Sequence, residues 1–292
     1  MAVITSAGSG VSNTGGTWTG GGVPDLTSDV QILSGHTVTL NTTHTWNSLD
    51  LQSGGTLDGD NQELTIDGED GGGTAVDLDG AISGTDTDIT VTTAASTYLD
   101  LVPSSGTIRN LTINHASCTA RWTGNSTISG DLTIVEGTVR ADDGDETLTV
   151  TGDVSIEDGG TLGRAADTAT MTFGSLTIAD GGTYSATSGT TTINSESSDY
   201  AWKNAETDGT GFAHNKGKVK FSFGGNTQIQ ENTFYDVEVS TGDSNEVKWQ
   251  DITGNTLEIL GSLTIDQGRW ESNTVGDTLI VHGNTFIGSG SL

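Results

Sequence analysis

The sequence predicts an all-β protein: a single-stranded, right-handed parallel β-helix (a β-solenoid) with coils of about 22 residues and almost no α-helix. Three observations predict it. Apolar–polar–apolar triplets recur along the chain, one motif returns at a constant interval, and turns rich in Gly and Asp separate the triplets. The chain has 43 Gly but only 2 Pro, which excludes collagen. Right-handedness follows from the usual hand of parallel crossovers.

The triplets identify the strands. Alternation with period 2 is typical of a strand with one buried face. Their Thr, Val and Ile residues favour strands, and no segment shows a sustained helical apolar period with caps. The triplets occupy residues 49–51, 64–66, 111–113, 132–134, 154–156, 176–178, 237–239 and 263–265.

The interval between motifs identifies the solenoid. Gly130, Gly152 and Gly174 each open a similar five-residue motif that ends in Ile, and the two intervals between them are equal. Gly261 and Gly283 repeat the same interval. A repeat of this length is one supersecondary unit that stacks on its neighbours. Leucine-rich repeats need several Leu residues per repeat, and these repeats have one or two.

Breaks in the repeat predict the domain organisation. Residues 1–28 are predicted to be an N-terminal arm or cap, and residues 29–292 the parallel β-helix. Residues 195–217 break the repeat and are predicted to be an excursion that leaves the rod and makes a contact. The last motif begins at Gly283, which predicts an uncapped C-terminal coil. We therefore expect the native chain to continue beyond Leu292 or to stack on another subunit.

The charge balance argues against some classes of binding partner. The chain has 39 acidic and 10 basic residues, a net charge of −29. This argues against nucleic acid, whose phosphates need Lys and Arg. No run of about 20 apolar residues exists, so we expect no membrane insertion. The start has neither the basic nor the apolar region of a signal peptide, and Cys118 is the single Cys, so no intrachain disulfide forms.

A family resemblance rests on two strings. Residues 18–40, from Trp18 through Pro24 to Leu40, resemble the opening of β-helix surface proteins. These include bacterial adhesin-like repeat proteins, G8-like modules and virion proteins of environmental phages, such as tail fibres and spikes. Residues 217–239 are similar to the same group. The resemblance implies a rigid rod on a surface or a virion, and the missing signal peptide favours the phage branch.

Acidic pairs are the candidate metal ligands. Residues i and i+2 of a strand share a face, so Asp77 with Asp79, and Asp86 with Asp88, could each present two carboxylates to one Ca²⁺. No EF-hand or nonapeptide calcium pattern is matched. The alternative is that these are solvated turn carboxylates. We expect no cofactor beyond such a structural Ca²⁺.

Aromatic residues and Lys are the candidate binding residues. The predicted excursion collects aromatic and basic side chains on an otherwise acidic chain, and we expect them to bind a glycan or a partner: Tyr200, Trp202, Phe212, Lys216 and Lys218. A sugar platform is also open to four further Trp residues, whose amphipathic rings could stack on carbohydrate: Trp46, Trp122, Trp249 and Trp270. The alternative is that Trp46 and Trp270 sit at strand positions and fill the rod or cover its flank.

The leading hypothesis is a non-enzymatic structural protein of a virus particle: a phage fibre, spike or decoration module. Its partners would be other virion subunits, with a homo-oligomer (a trimer favoured) and host polysaccharide as a further partner. It would be located in the virion. One alternative is a fragment of a bacterial extracellular adhesin or matrix protein at the cell surface. Another is a polysaccharide depolymerase, but no catalytic pair can be chosen from the sequence.

Overall fold

The computed structural model shows a parallel β-solenoid of about 11 turns with a spacing of about 23 residues. Strands make up 56% of the chain and helix 2%. The structure describes residues 1–83, 87–195, 200–206, 210–231, 233–242, 245–250, 256–272 and 276–289. The predicted β-solenoid is confirmed.

The chain divides into two compact units, unit 1 (Met1–Glu146) and unit 2 (Thr147–Leu292). Unit 1 also contains two 3-10 turns, Gly15–Thr17 and Thr19–Gly21. The strands of unit 1 are β1 (Ala2–Thr5), β2 (Gly10–Val11), β3 (Ser28–Ile32), β4 (Thr37–Thr39), β5 (His44–Trp46), β6 (Ser48–Leu51), β7 (Thr56–Asp58), β8 (Glu63–Ile66), β9 (Thr74–Leu78), β10 (Ala81–Ser83), β11 (Asp88–Val91), β12 (Ser96–Asp100), β13 (Asn110–Thr123), β14 (Ser126–Ile128) and β15 (Leu132–Ala141). The strands of unit 2 are β16 (Leu148–Ile156), β17 (Gly160–Leu162), β18 (Met171–Ile178), β19 (Thr183–Ser185), β20 (Thr190–Ile193), β21 (Tyr200–Asn204), β22 (Phe212–Ala213), β23 (Lys218–Phe221), β24 (Thr227–Gln230), β25 (Thr233–Phe234), β26 (Asp236–Ser240), β27 (Glu246–Gln250), β28 (Thr256–Ile259), β29 (Leu263–Gln267), β30 (Arg269–Ser272), β31 (Thr278–Val281) and β32 (Thr285–Ile287).

In-register pairing aligns the buried faces of successive coils. In unit 1, Val30 of β3 pairs with Leu49 of β6, and Leu49 pairs with Val76 of β9. All three side chains are at most 1% exposed. A slip of one residue would turn the apolar side chains of a strand to solvent, so the period-2 pattern sets this register.

The corners bring backbone of successive coils close together. Gly163 in unit 2 has φ +84°, in the left-handed region that favours glycine. A Cβ on Gly163 would collide with the carbonyl oxygen of Ser185 on the next coil. A side chain there would therefore strain both the turn and the stacking of coils.

Residues 1–28 add strands to the ladder. β1 pairs in parallel with β3, and β2 with β4. Trp18 is 2% exposed, and its indole N–H donates to the Ser12 carbonyl at 2.7 Å. The predicted arm is thus part of the solenoid, and its role as a cap stays a prediction.

The predicted excursion at 195–217 is wrong for its described residues. β21 (Tyr200–Asn204) pairs in parallel with β18 and β24, and β22 (Phe212–Ala213) pairs with β19. Trp202 is 0% exposed because it fills the core of unit 2. Aromatic residues and Lys close together in the sequence favour an exposed segment, but an inward position on a strand buries the aromatic ring.

The coil that begins at β30 has an open face. Its strands β31 and β32 pair on one side with β28 and β29. Phe286 and Ile287 on β32 are 55% and 50% exposed. No strand among the described residues covers them.

Candidate functional site

Three aspartates of unit 1 form a carboxylate column on the outer face of neighbouring strands. Asp50 of β6 pairs in register with Asp77 of β9, and Asp77 pairs in register with Asp100 of β12. Strands lie about 4.8 Å apart, so three like charges stack along one line. Asp79, which follows β9, joins this column. One carboxylate oxygen each of Asp77, Asp79 and Asp100 lies within 4.8 Å of the others.

Burial and mutual repulsion raise pKa values in the carboxylate column. The pKa of Asp77 rises to about 6, first because burial penalises its charged form and then because Asp79 and Asp100 repel it. Burial also raises the pKa of Asp100. The backbone N–H of Val102, which donates to Asp100 Oδ1 at 3.1 Å, opposes this rise because it stabilises the charged form. Carboxylate oxygens in such a group could share protons or coordinate Ca²⁺.

The predicted metal ligands are therefore only partly brought together. The structure places Asp77 and Asp79 in one group, and Asp86 lies outside the described residues. Asp88 belongs elsewhere, because its Oδ2 accepts from Arg109 Nη2 at 2.6 Å and its Oδ1 from Arg109 Nε at 2.8 Å. Sequence reasoning missed Asp100, although it lies one coil after Asp77 along the chain.

The five predicted binding residues do not form one site. Trp202 is buried, so its predicted role as an exposed binding platform is wrong. Tyr200 is half-buried, with the Lys203 ammonium 5.8 Å from its ring centre. Lys218 donates to Glu238 Oε2 at 2.9 Å. The four other Trp residues considered for a sugar platform are at most 2% exposed: Trp46, Trp122, Trp249 and Trp270. This burial agrees with the alternative interpretation that Trp46 and Trp270 fill the rod.

Phe212 and Lys216 do line one feature, an open groove of about 590 Å³ in unit 2. We call it the His214 groove. Its walls are Ala165, residues 212–216 and Thr233. Phe212 is 8% exposed and forms the floor, with its ring 5.7 Å from that of Tyr184 behind it.

A tight turn holds one wall of the His214 groove. The Gly217 N–H donates to the His214 carbonyl at 2.8 Å, and the Lys216 N–H donates to His214 Nδ1 at 3.1 Å. The Asn215 amide reaches the carbonyl oxygens of Ala186 at 2.9 Å and Ala213 at 3.2 Å. The wall is therefore fixed to the solenoid by side-chain hydrogen bonds.

The groove combines aromatic and cationic groups. The ring of His214 stacks on that of Tyr235 at 5.7 Å with 23° between the planes, and partial burial lowers the pKa of His214. Lys216 is exposed, and within the described residues it makes no ion pair. Sequence reasoning missed His214, Asn215 and Tyr235. The available signal was Asn215 before Lys216-Gly217, a pattern typical of a turn with positive φ.

The described part of unit 1 contains a smaller pocket of about 120 Å³, near Pro103 and Asn125. This is well below the roughly 300–1,000 Å³ of typical ligand sites. The His214 groove falls within that range.

The geometry defines the class of this protein as a parallel β-solenoid with a carboxylate column in unit 1 and a groove bordered by one lysine in unit 2. No family model, curated protein or solved structure matches the chain. Among the described residues, no helix has both the length and the apolar character to cross a membrane.

Proposed function

We propose that this protein is a non-enzymatic structural component of a virus particle: a phage fibre, spike or decoration module that presents a rigid β-solenoid. The observation that carries the proposal is the in-register ladder within each unit. Unit 1 aligns Val30, Leu49 and Val76, and unit 2 aligns Val219 with Val237 and Leu263. β6 pairs with β3 and β9 in unit 1, and β26 pairs with β23 and β29 in unit 2. A strand that is hydrogen-bonded on both sides resists local opening.

The outward side chains support a role in display. The acidic exterior, part of a net charge of −29, keeps the protein soluble and disfavours non-specific aggregation. The resemblance of residues 18–40 to virion and surface proteins points the same way. Its partners would be other virion subunits in a homo-oligomer, a trimer favoured, together with host polysaccharide.

The test is the location of the natural protein. Density-gradient particles, cell envelopes and culture supernatant from the source would be compared by quantitative mass spectrometry against a labelled recombinant standard. The proposal expects a fixed copy number per particle that stays constant across gradient fractions. Enrichment in the envelope or matrix instead would overturn it in favour of the adhesin alternative.

The second candidate is a polysaccharide depolymerase, and the carboxylate column favours it. Glycoside hydrolysis uses one carboxyl group with a raised pKa beside a second, ionised one. Asp77, with a pKa of about 6, lies beside Asp79 and Asp100. New reducing ends released from host polysaccharide by the native protein, but not by Asp77→Asn, would establish this activity and end the non-enzymatic proposal.

A further inference from the structure

We infer that the His214 groove binds an acidic sugar residue of a glycan chain, with its anionic group at Lys216 and its ring against the aromatic wall. The inference rests on the proposed function, because a displayed virion protein meets surface glycans. It names the site and the chemical class of the ligand. The residues that carry it are Phe212, His214, Asn215, Lys216 and Tyr235.

The charge of Lys216 selects an anion. The chain has 39 acidic and 10 basic residues, so acidic partners for an exposed cation are abundant. Lys218 and Lys220 both contact Glu238, at 2.9 and 2.7 Å. Lys216 differs, since within the described part of the chain its ammonium lies in no ion pair and borders the groove. A carboxylate or sulfate of a bound ligand would form an ion pair with this ammonium group.

Backbone strain marks the same position. Asn215 and Lys216 both lie in the left-handed region, at φ +45° and +65°. Unit 1 has a matching turn at Asp60 and Asn61, with φ +45° and +59°. Asp and Asn are the side chains that tolerate this region, whereas a Lys there strains the backbone. The turn conformation therefore does not by itself account for a Lys at the second position.

The hydrogen bonds of His214 provide a donor. Nδ1 accepts the Lys216 N–H, so the neutral ring carries its proton on Nε2. This N–H can donate to a sugar hydroxyl. The anchored Asn215 amide holds the ring and the cation in a fixed relation, which reduces the entropy lost on binding.

Shape and apolar surface suit a sugar. The His214 ring lines the groove and is held by stacking on Tyr235 behind it, and Phe212 gives the groove a partly apolar character. A volume of about 590 Å³ admits a short segment of a glycan chain rather than a single small ion.

Calorimetric titration of the purified full chain tests the inference with three hexasaccharides: an oligo-uronate, a sulfated galactan oligosaccharide and neutral cellohexaose. One or both acidic probes should bind, and more weakly in high NaCl, with cellohexaose at least about tenfold weaker. The two acidic arms distinguish a carboxylate from a sulfate. Lys216→Asn should weaken acidic binding at least about tenfold, because a charge-assisted contact is lost while the turn keeps a residue suited to positive φ.

Lys203→Asn is the matched control, since it removes the same charge from unit 2 outside the groove. It should change the affinity less than about twofold. Thermal melting of each variant confirms folding. Absent binding of both acidic probes, equal binding of cellohexaose, or equal losses in Lys203→Asn and Lys216→Asn would overturn the inference. None of these outcomes affects particle incorporation, so the proposed function fails or stands on its own two tests, mass spectrometry of particles and the reducing-end assay.

Discussion

Units 1 and 2 build similar ladders from different side chains. Among the described residues of unit 1, the fully or nearly buried aromatic residues are Trp18, Trp46 and Trp122, and aliphatic residues with Cys118 make up the rest of the buried apolar core. Unit 2 buries a larger aromatic set: Phe173, Tyr184, Trp202, Phe212, Phe221, Phe223, Phe234, Trp249 and Trp270. Many of these rings contact one another, such as Trp202 and Phe212 at 4.7 Å.

The two units also differ in the balance of acidic and basic side chains. Unit 1 has 20 acidic and 3 basic residues, and unit 2 has 19 and 7. In unit 1, Asp77 stacks between Asp50 and Asp100. In unit 2, Lys220 pairs in register with Glu238 and contacts it at 2.7 Å. In-register positions on neighbouring strands can thus carry like or opposite charges. Like charges repel and destabilise unit 1, whereas opposite charges attract and stabilise unit 2.

The largest expected effect is on the aromatic core. Trp202→Ala removes a ring that packs on Tyr184, Phe212 and Phe234, at 5.8, 4.7 and 5.4 Å. We expect a loss of about 3–5 kcal/mol in the free energy of unfolding. Denaturant titration with hydrogen exchange read at peptide level would assign the loss to unit 2. Lys203→Ala on the same strand should change stability by less than about 0.5 kcal/mol. A loss below about 1 kcal/mol for Trp202→Ala would show that its ring is not part of a close-packed core.

The carboxylate column should make unit 1 less stable as pH rises. The folded pKa of Asp77, about 6, lies above the unfolded value of about 3.9, so folding takes up a proton between them. Stability therefore falls from about pH 4 to pH 6, and the full penalty persists above pH 6. Asp77→Asn should stabilise unit 1 by about 1–2 kcal/mol at pH 7.5, after allowance for solvent screening, and by nothing below pH 4.

Asp88→Asn is the control for this pH prediction. It removes the partner of Arg109, so it should not stabilise at pH 7.5. Peptide-level exchange at pH 4 and pH 7.5 would measure both variants. A stabilisation by Asp77→Asn that is the same at the two pH values would contradict the assigned cause.

Added cations should reduce the electrostatic destabilisation that the carboxylate column causes in unit 1. Millimolar Ca²⁺ is expected to stabilise unit 1 by about 1 kcal/mol, the effect of binding with the affinity of extracellular calcium modules. High NaCl should also raise the melting midpoint by screening. Differential scanning calorimetry of wild type, Asp77→Asn and Asp88→Asn separates the two effects, because only Asp77→Asn should lose the Ca²⁺ response. An unchanged midpoint in low salt, high salt and Ca²⁺ would contradict both.

The smallest effect concerns the mixed charges of unit 2. The Lys220 and Lys218 ammonium groups hold the pKa of Glu238 below its usual range. Its stabilisation is present above the unfolded pKa and is lost as pH falls through the folded pKa. Glu238→Gln should therefore destabilise unit 2 at pH 7, by no more than about 0.5 kcal/mol, and leave it unchanged in strong acid. Thermal melts at both pH values check this sign, which is opposite to that of Asp77→Asn.

The candidate sites show where sequence reasoning stopped. The pair Asp77 and Asp79 is recognisable because two residues on one strand share a face. Asp100 lies beside them only because the coil between Asp77 and Asp100 has the length that brings the two residues into register. The coil between Asp50 and Asp77 is longer, although these two residues are also in register. The coil length varies from turn to turn, so the members of a column could not be read from a constant period.

The amino-acid sequence by itself determined the strands and the repeat. Alternation in segments such as Leu132–Ala141 depends on neighbouring residues alone, and the stacking of coils follows from the repetition of one unit. Only the tertiary structure decided which aromatic rings enter the core and which charges meet. Trp202 became a core residue through the register of β21 against β18, and Lys216 reached the groove through a left-handed turn. The physical reason is that the side chains of a strand alternate between the buried and the exposed face, which a short stretch of sequence reveals. Contact between residues of different coils depends instead on the lengths of all the loops that separate them.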